Sequence, residues 1–228
     1  MIGIIGAMQI EVEALKARMT DIKTENISGI EFVSGKLCGK DAVVAQCGIG
    51  KVFAALCAQT MILRYNTDIL INTGVAGSLS TSLSIGDIAV STACVQHDMD
   101  TSPLGDPVGL LSGINVIELP ADAELCDKIC ESAEGLGINT LRGIIASGDC
   151  FVSSSEKKKY IVDNFGAIAC EMEGGAIAHV CYVNGVRYAV IRSISDSADG
   201  SAHMDYGEFI GLAAERSTNV VTALLDRL

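Results

Sequence analysis

Ile168-Ala169-Cys170-Glu171-Met172-Glu173-Gly174-Gly175 leads into an apolar helical segment ending at Asn184, and the chain then runs through Tyr188–Ile194 to Ser195-Asp196. A short apolar run gives way to two acids and two glycines, then to a helix, then to the most apolar run in the chain. Strands covered on both faces by helices read this way, because neither face needs a polar alternate. The same alternation extends outward. The remaining strand candidates are Ile2–Ile5, Glu31–Leu37, Ala42–Gln46, Ile69–Asn72, Ile88–Ala93, Asn115–Glu118 and Ile144–Ala146. Helical patterns fall at Ile10–Met19, Val52–Arg64, Ala121–Gly135, Ser155–Asn164, Gly174–Asn184 and Glu208–Leu228. Glu31–Leu37 and Ala42–Gln46, joined through Cys38-Gly39-Lys40, read as a hairpin. The expected class is α/β, a mixed central sheet flanked by helices in a single domain over residues 1–228. No linker divides the chain. The three prolines, Pro103, Pro107 and Pro120, all fall in one irregular stretch, Asp98–Pro120, expected to be a lid or a partner-contacting segment.

Of the 228 residues, 49% are apolar and 19% charged, enough apolar material to offset the entropy of ordering and to exclude a disordered chain. That is slightly apolar for a monomer, so an oligomer interface is expected. Aromatics make up 4% with no Trp, which leaves an aliphatic core. The formal net charge of −12 would repel nucleic-acid phosphates and anionic lipid, so neither is an expected partner. Nine cysteines are scattered singly without a C-x-x-C pair, and Cys126 and Cys130 lack the further ligands of a zinc set. A reducing, cytoplasmic compartment is expected, with no metal and no cofactor. The Met1–Gly6 start reads as a first strand and not as a signal peptide, and no apolar run reaches membrane-spanning length.

Two glycine-rich turns are expected after strands, Gly48-Ile49-Gly50 and Gly74-Val75-Ala76-Gly77, each either a tight turn or a place where ligand approaches backbone. Neither carries a phosphate-binding fingerprint. Glu11, in the first turn of the first helix, has Ala14 and Leu15 one turn on and so points along an apolar face, as a helix-dipole partner or a general base. Glu171 and Glu173 flank Met172 at a strand end and look like a clamp for a polyol, although Glu173 also fits as a first-turn acid. Arg192, in the most apolar strand, must find an acid partner. Asp196, at that strand's carboxyl end, is a turn cap or a catalyst.

Together with Ile4-Ile5-Gly6-Ala7-Met8, Gly48-Ile49-Gly50-Lys51-Val52, Asn72-Thr73-Gly74-Val75-Ala76-Gly77, His97-Asp98 and Ser147-Gly148-Asp149-Cys150-Phe151, these residues make the chain similar to a known family. It resembles, essentially from end to end, the 5′-methylthioadenosine/S-adenosylhomocysteine nucleosidases of the nucleoside phosphorylase superfamily. The resemblance implies a nucleoside phosphorylase-like fold and hydrolysis of the N-glycosidic bond of adenine nucleosides carrying a 5′-thioether, in methionine salvage. It also implies roles. Asp196, beside Ser195, would protonate adenine N7, and Glu11 would deprotonate the attacking water, with Arg192 aligning Glu11 and that water. The Met172 backbone and Glu173 would hold the ribose hydroxyls. Phe151 would stack on adenine while the Val152 backbone reads its N1 and N6 edge. Ile49, Ala76 and Gly77 would form the floor, and Met8 and Tyr206 would pack on the sugar side. A homodimer is implied, with the partner's Leu104–Leu111 segment completing the 5′ pocket. A phosphorolytic relative would need an arginine cluster where this chain has Glu11; a binding protein without turnover would not need both acids. Two departures are visible: Thr101–Gly109 lacks the aromatics many members carry there, and Val75 replaces a Ser found in some.

Overall fold

The computed structural model describes residues 1–228 apart from the side chains of His203 and Met204. In chain order the elements are β1 (Ile2–Gly6), α1 (Gln9–Lys16), β2 (Thr20–Ile27), β3 (Ile30–Leu37), β4 (Lys40–Gln46), α2 (Lys51–Tyr65), β5 (Ile69–Ser78) and β6 (Ile88–Gln96). There follow β7 (Leu119–Pro120), α3 (Ala123–Gly135), β8 (Thr140–Ser147), α4 (Ser155–Phe165), β9 (Ala169–Glu171), α5 (Gly174–Asn184), β10 (Arg187–Asp196) and α6 (Ala202–Leu225). The α/β class and the mixed sheet stand as expected.

The sheet has a feature that periodicity did not reveal: part of it closes on itself. β10 pairs parallel with β5 and antiparallel with β6, while β6, β8, β9 and β5 continue around to complete a ring. From β5 the sheet extends through β1, β4, β3 and β2. Alternate residues of the strands enter different cores. Ile5 and Leu70 pack with Met61, Ile177 and Cys181, whereas Ile4 and Ile71 pack with Leu15, Ile129, Val221 and Leu224. That period-two division is why these strands are apolar throughout.

Several boundaries differ from the sequence reading. β2 was not expected, since Thr20–Ile27 is polar and largely exposed; it is an edge strand, and charge on an edge discourages pairing with other chains. Its hairpin to β3 turns at Ser28-Gly29, and that from β3 to β4 at Cys38-Gly39, both pairs at positive φ. Asn115–Glu118 is not a strand: Asn115 has φ of +56° and its N–H donates to Leu111, so only Leu111 and Val116 form a bridge and the strand is β7. Gly74–Gly77 is not a turn but the carboxyl-terminal part of β5, paired with β10 across one register shift between Ile194 and Asp196. α1 stops at Lys16, and α6 begins at Ala202, six residues before the expected Glu208. Among the described residues, no helix is long and apolar enough to cross a membrane.

Candidate active site

The carboxyl ends of β1, β5, β9 and β10 open into a cavity of about 360 Å³. It is lined by Met8, Glu11, Ile49, Ala76, Gly77, Phe151, Met172, Glu173, Arg192, Ser195, Asp196 and Tyr206, twelve of the thirteen residues singled out from the sequence. Val152 lies in an adjoining small cavity that shares Gly77, Phe151, Met172 and Asp196. Glu171, the other half of the expected clamp, completes the wall with Ala7, Val75 and Cys170.

Glu11 is buried at the first turn of α1. One carboxylate oxygen accepts the N–H groups of Ala7 at 2.7 Å and Met8 at 2.9 Å, and the other accepts that of Val75 at 3.2 Å. Glu11 therefore caps its own helix and also faces the cavity. Burial raises its pKa above the ordinary carboxylate value, against the opposing pull of Arg192 and of these three amides.

Arg192 is the largest fully buried side chain. Its Nη2 donates to Asn72 and Glu171 and lies 3.5 Å from Glu173, so the hydrogen bonds of the guanidinium run to these groups and not to Glu11. Its Nη1 nevertheless leans on Gly74 beside Glu11 Oε1, where any Cβ would collide with both. This close approach is what the glycine in the middle of β5 permits. Burial works against the Arg192 charge, but Glu171, Glu173 and Glu11 outweigh it and raise its pKa.

The polyol-clamp expectation is corrected for Glu171. Its oxygens accept from Arg192, the Ser147 hydroxyl and the N–H groups of Glu173 (3.1 Å) and Gly174 (2.8 and 3.0 Å), which leaves it an anchor for Arg192 and for the start of α5. Asn72, whose Nδ2 donates to the Ile5 carbonyl at 2.9 Å, and Ser147 belong to this anchor. In the sequence both stood only within motif blocks and carried no role, although each follows an apolar run. Glu173 accepts the Gly50 N–H at 2.9 Å. Burial raises its pKa despite Arg192.

At the other end, Asp196 Oδ1 accepts the Ala198 N–H at 2.9 Å and Oδ2 accepts the Ser195 hydroxyl at 2.9 Å. Burial raises the Asp196 pKa against both hydrogen bonds, with Asp205 and Asp199 adding to the rise. Glu11 sits against Gly74 and Asp196 against Gly77. The two carboxyls thus meet β5 at different points along its length, three residues apart. The aromatic wall is a pair: Phe151, half exposed, meets Tyr206 edge-on at 5.6 Å, and the Tyr206 hydroxyl lies 3.2 Å from Met8 Sδ. Asp98 joins the two loops over the site, accepting Lys51 Nζ at 2.6 Å and the Asp149 N–H at 2.9 Å, while Asp149 accepts the Lys51 N–H at 2.8 Å.

A buried acid and a second buried carboxylate at opposite ends of one cavity can protonate a leaving group and activate water on the far side. Comparison with known proteins bears on this arrangement. The phosphorylase superfamily model matches residues 1–226. The chain is 41% identical to the 5′-methylthioadenosine/S-adenosylhomocysteine nucleosidase of Shewanella halifaxensis, over 100% of this chain and 99% of the relative. The crystal structure of the Neisseria meningitidis nucleosidase of that name, in complex with methylthio-immucillin-A, superposes with a TM-score of 0.96 at 34% identity, covering 100% of this chain and 99% of that one. The futalosine hydrolase of Helicobacter pylori superposes with a TM-score of 0.95 at 37% identity, covering 100% and 97%. With its closed ring of strands and two opposed carboxyls, the chain belongs to the phosphorylase superfamily, among its 5′-methylthioadenosine/S-adenosylhomocysteine nucleosidases.

Proposed function

We propose that the enzyme hydrolyses the N-glycosidic bond of 5′-methylthioadenosine and S-adenosylhomocysteine, and of 5′-deoxyadenosine, releasing adenine and the ribose fragment, with residues 1–228 working as one domain in the cytoplasm. The observation that carries this reading is the pair of buried carboxyls, Glu11 and Asp196, both with raised pKa, at opposite ends of one cavity. Asp196 is the general acid: with its pKa raised by burial, it delivers its proton to adenine N7 so that the base leaves neutral. Glu11 is the general base, orienting and deprotonating water as positive charge develops on the ribosyl carbon. Arg192, beside Glu11 at Gly74, aligns the base and its water. Glu173 and the Met172 backbone grip the ribose hydroxyls and hold the reacting carbon in line. Phe151 and the Val152 backbone take the adenine, Ile49, Ala76 and Gly77 form its floor, and Met8 and Tyr206 close the sugar side.

Phosphorolysis is disfavoured by charge. Among the described residues lining the cavity, Arg192 is the one cation, and it is engaged by Glu171 and Glu173. Release of adenine from 5′-methylthioadenosine in phosphate-free buffer tests the reading; turnover that requires phosphate, or nucleoside binding without release, would replace it. The likeness to a futalosine hydrolase makes a futalosine-type nucleoside the second substrate to assay in the same panel.

The working unit is proposed to be a homodimer. Val52 (71% exposed), Phe53 and Leu56 on α2 and Tyr182 and Val183 on α5 present apolar side chains to solvent. Leu104, 84% exposed, heads the Leu104–Leu111 segment that would reach the partner's 5′-substituent pocket.

A further inference from the structure

Lys158 lies early in α4, six residues after Val152, with its side chain half-buried. Its Nζ donates to two backbone carbonyls from different elements: Ser78, the last residue of β5, at 2.8 Å, and Ser197, the first residue beyond β10, at 2.7 Å. The parallel ladder of β5 and β10 becomes irregular between Ile194 and Asp196, just before these two carbonyls. One ammonium, with three donors, satisfies both.

The turn it holds is the one that aims Asp196. Ala198 stands at φ of +50°, a left-handed conformation that costs an alanine about 1–2 kcal/mol and persists only where the surroundings enforce it. That conformation points the Ala198 N–H at Asp196 Oδ1. A Cβ on Gly77 would meet Asp196 Oδ1 at 2.8 Å and the Ala198 Cβ at 2.9 Å, so the turn is pressed against β5 on its other side. The strained link is thus fixed from below by Gly77 and from outside by the Ser197 carbonyl on Lys158. Helix α4 is also the element that follows the Phe151-Val152 loop, its start capped by Ser154, whose hydroxyl accepts the Lys157 N–H at 3.2 Å.

We infer that Lys158 is a positioning residue for Asp196: by bridging Ser78 and Ser197 it locks the turn that aims the carboxyl, and it ties that turn to the helix carrying the base-recognition loop. The inference rests on the reading of Asp196 as the general acid. The charged groups around the carboxyl are Asp199 and Asp205, which act on it directly, and Lys158, whose charge reaches Asp199.

The test is a kinetic cycle with Lys158→Met, Lys158→Arg and Asp196→Asn, alone and combined, read as kcat, KM and the pH profile of adenine release. Misplacement of a reacting group by about 1 Å costs up to about a hundredfold, so K158M is expected to lower kcat by about ten- to a hundredfold, with a smaller change in KM. It is also expected to move the alkaline limb to lower pH, because a loosened turn admits water to Asp196. K158R restores most of kcat. In the D196N background the Lys158 substitution changes kcat by less than about twofold, the ordinary scatter of additivity. Equal losses in both backgrounds, or a lower Tm with kcat and the alkaline limb unmoved, would overturn the inference. D196N retaining near-normal turnover would instead overturn the acid assignment, so the two failures are distinguishable. If K158M does not fold, Lys158→Gln, which keeps one donor arm, is read by the same criteria.

Discussion

Replacing Arg192 with Met keeps much of its bulk and removes its charge, and the structure states what that leaves behind. Glu171 and Glu173 are both buried, and both meet the guanidinium. Removing one member of a buried ionic cluster costs about 3–5 kcal/mol, since the remaining charges stay desolvated without a partner. For a chain of this size each kcal/mol moves Tm by about 2–4 °C, so the expected drop is about 6–20 °C. The deficit has a pH signature. Burial already raises Glu173 above its ordinary value of 4.5, and loss of Arg192 raises it further. A carboxyl whose folded pKa is raised contributes stability that is present below its unfolded pKa and lost as pH rises through the folded value. With wild-type Glu173 already raised to about 7, the gap between variant and wild type should therefore stay level from pH 4.5 to about 7 and widen above it, where the wild-type carboxyl ionises first. Calorimetric melting at one fixed protein concentration across and above that range is the assay. A fall of under 3 °C, or a gap that does not change with pH, would show that the guanidinium is not what neutralises this cluster; the threshold is about half the smallest expected drop.

Asp196→Asn cannot deliver a proton and should lower turnover at least about a hundredfold with the fold intact, within the range of acid–base contributions; near-normal adenine release would end the assignment. Glu11→Gln should abolish turnover while nucleoside still binds, whereas Glu173→Gln should weaken binding as well as rate, because the ribose loses a charge-assisted acceptor; calorimetry showing the reverse would exchange the two roles. The profile of kcat/KM against pH should be bell-shaped. It falls on the acid side above the ordinary Glu value of 4.5, as buried Glu11 takes up its proton, and on the alkaline side as Asp196 gives up its own. A flat profile would remove both assignments. Light scattering at micromolar concentration should give about twice the 23.8 kDa of one chain, and a fully active monomer would refute the shared pocket.

What could be read in the sequence followed from which physical forces act locally. Strands such as Ile2–Gly6 and β10 were legible because burial on both faces demands apolar runs such as Tyr188–Ile191, and the β3–β4 hairpin because Cys38-Gly39 suits a tight reversal. β2 was hidden because an edge strand owes its existence to its neighbour and not to its own composition. The start of α6 was hidden because Asp205 and Gly207 interrupt the apolar pattern there. Gly74 was misread because glycine usually punctuates; here it makes room for Arg192 and Glu11 inside a strand. The acids were legible by position at strand ends. Their division of labour was not, since Glu171 became an anchor only when Ser147 and Arg192 arrived from other strands.

The closed ring of strands also sets an order of events during folding. β10 must find β5, more than a hundred residues earlier, before the ring exists. Such long-range pairings bring back their loop-closure entropy late and slow the search. β5 meanwhile carries an unpaired edge rich in apolar residues, the kind of surface that aggregates while a chain is being synthesised. Because β10 brings both Arg192 and Asp196, the proposed catalytic centre is assembled by the same late step that hides this edge. Competence in chemistry and protection from aggregation therefore arrive together, and an emerging chain has neither until its last quarter is made.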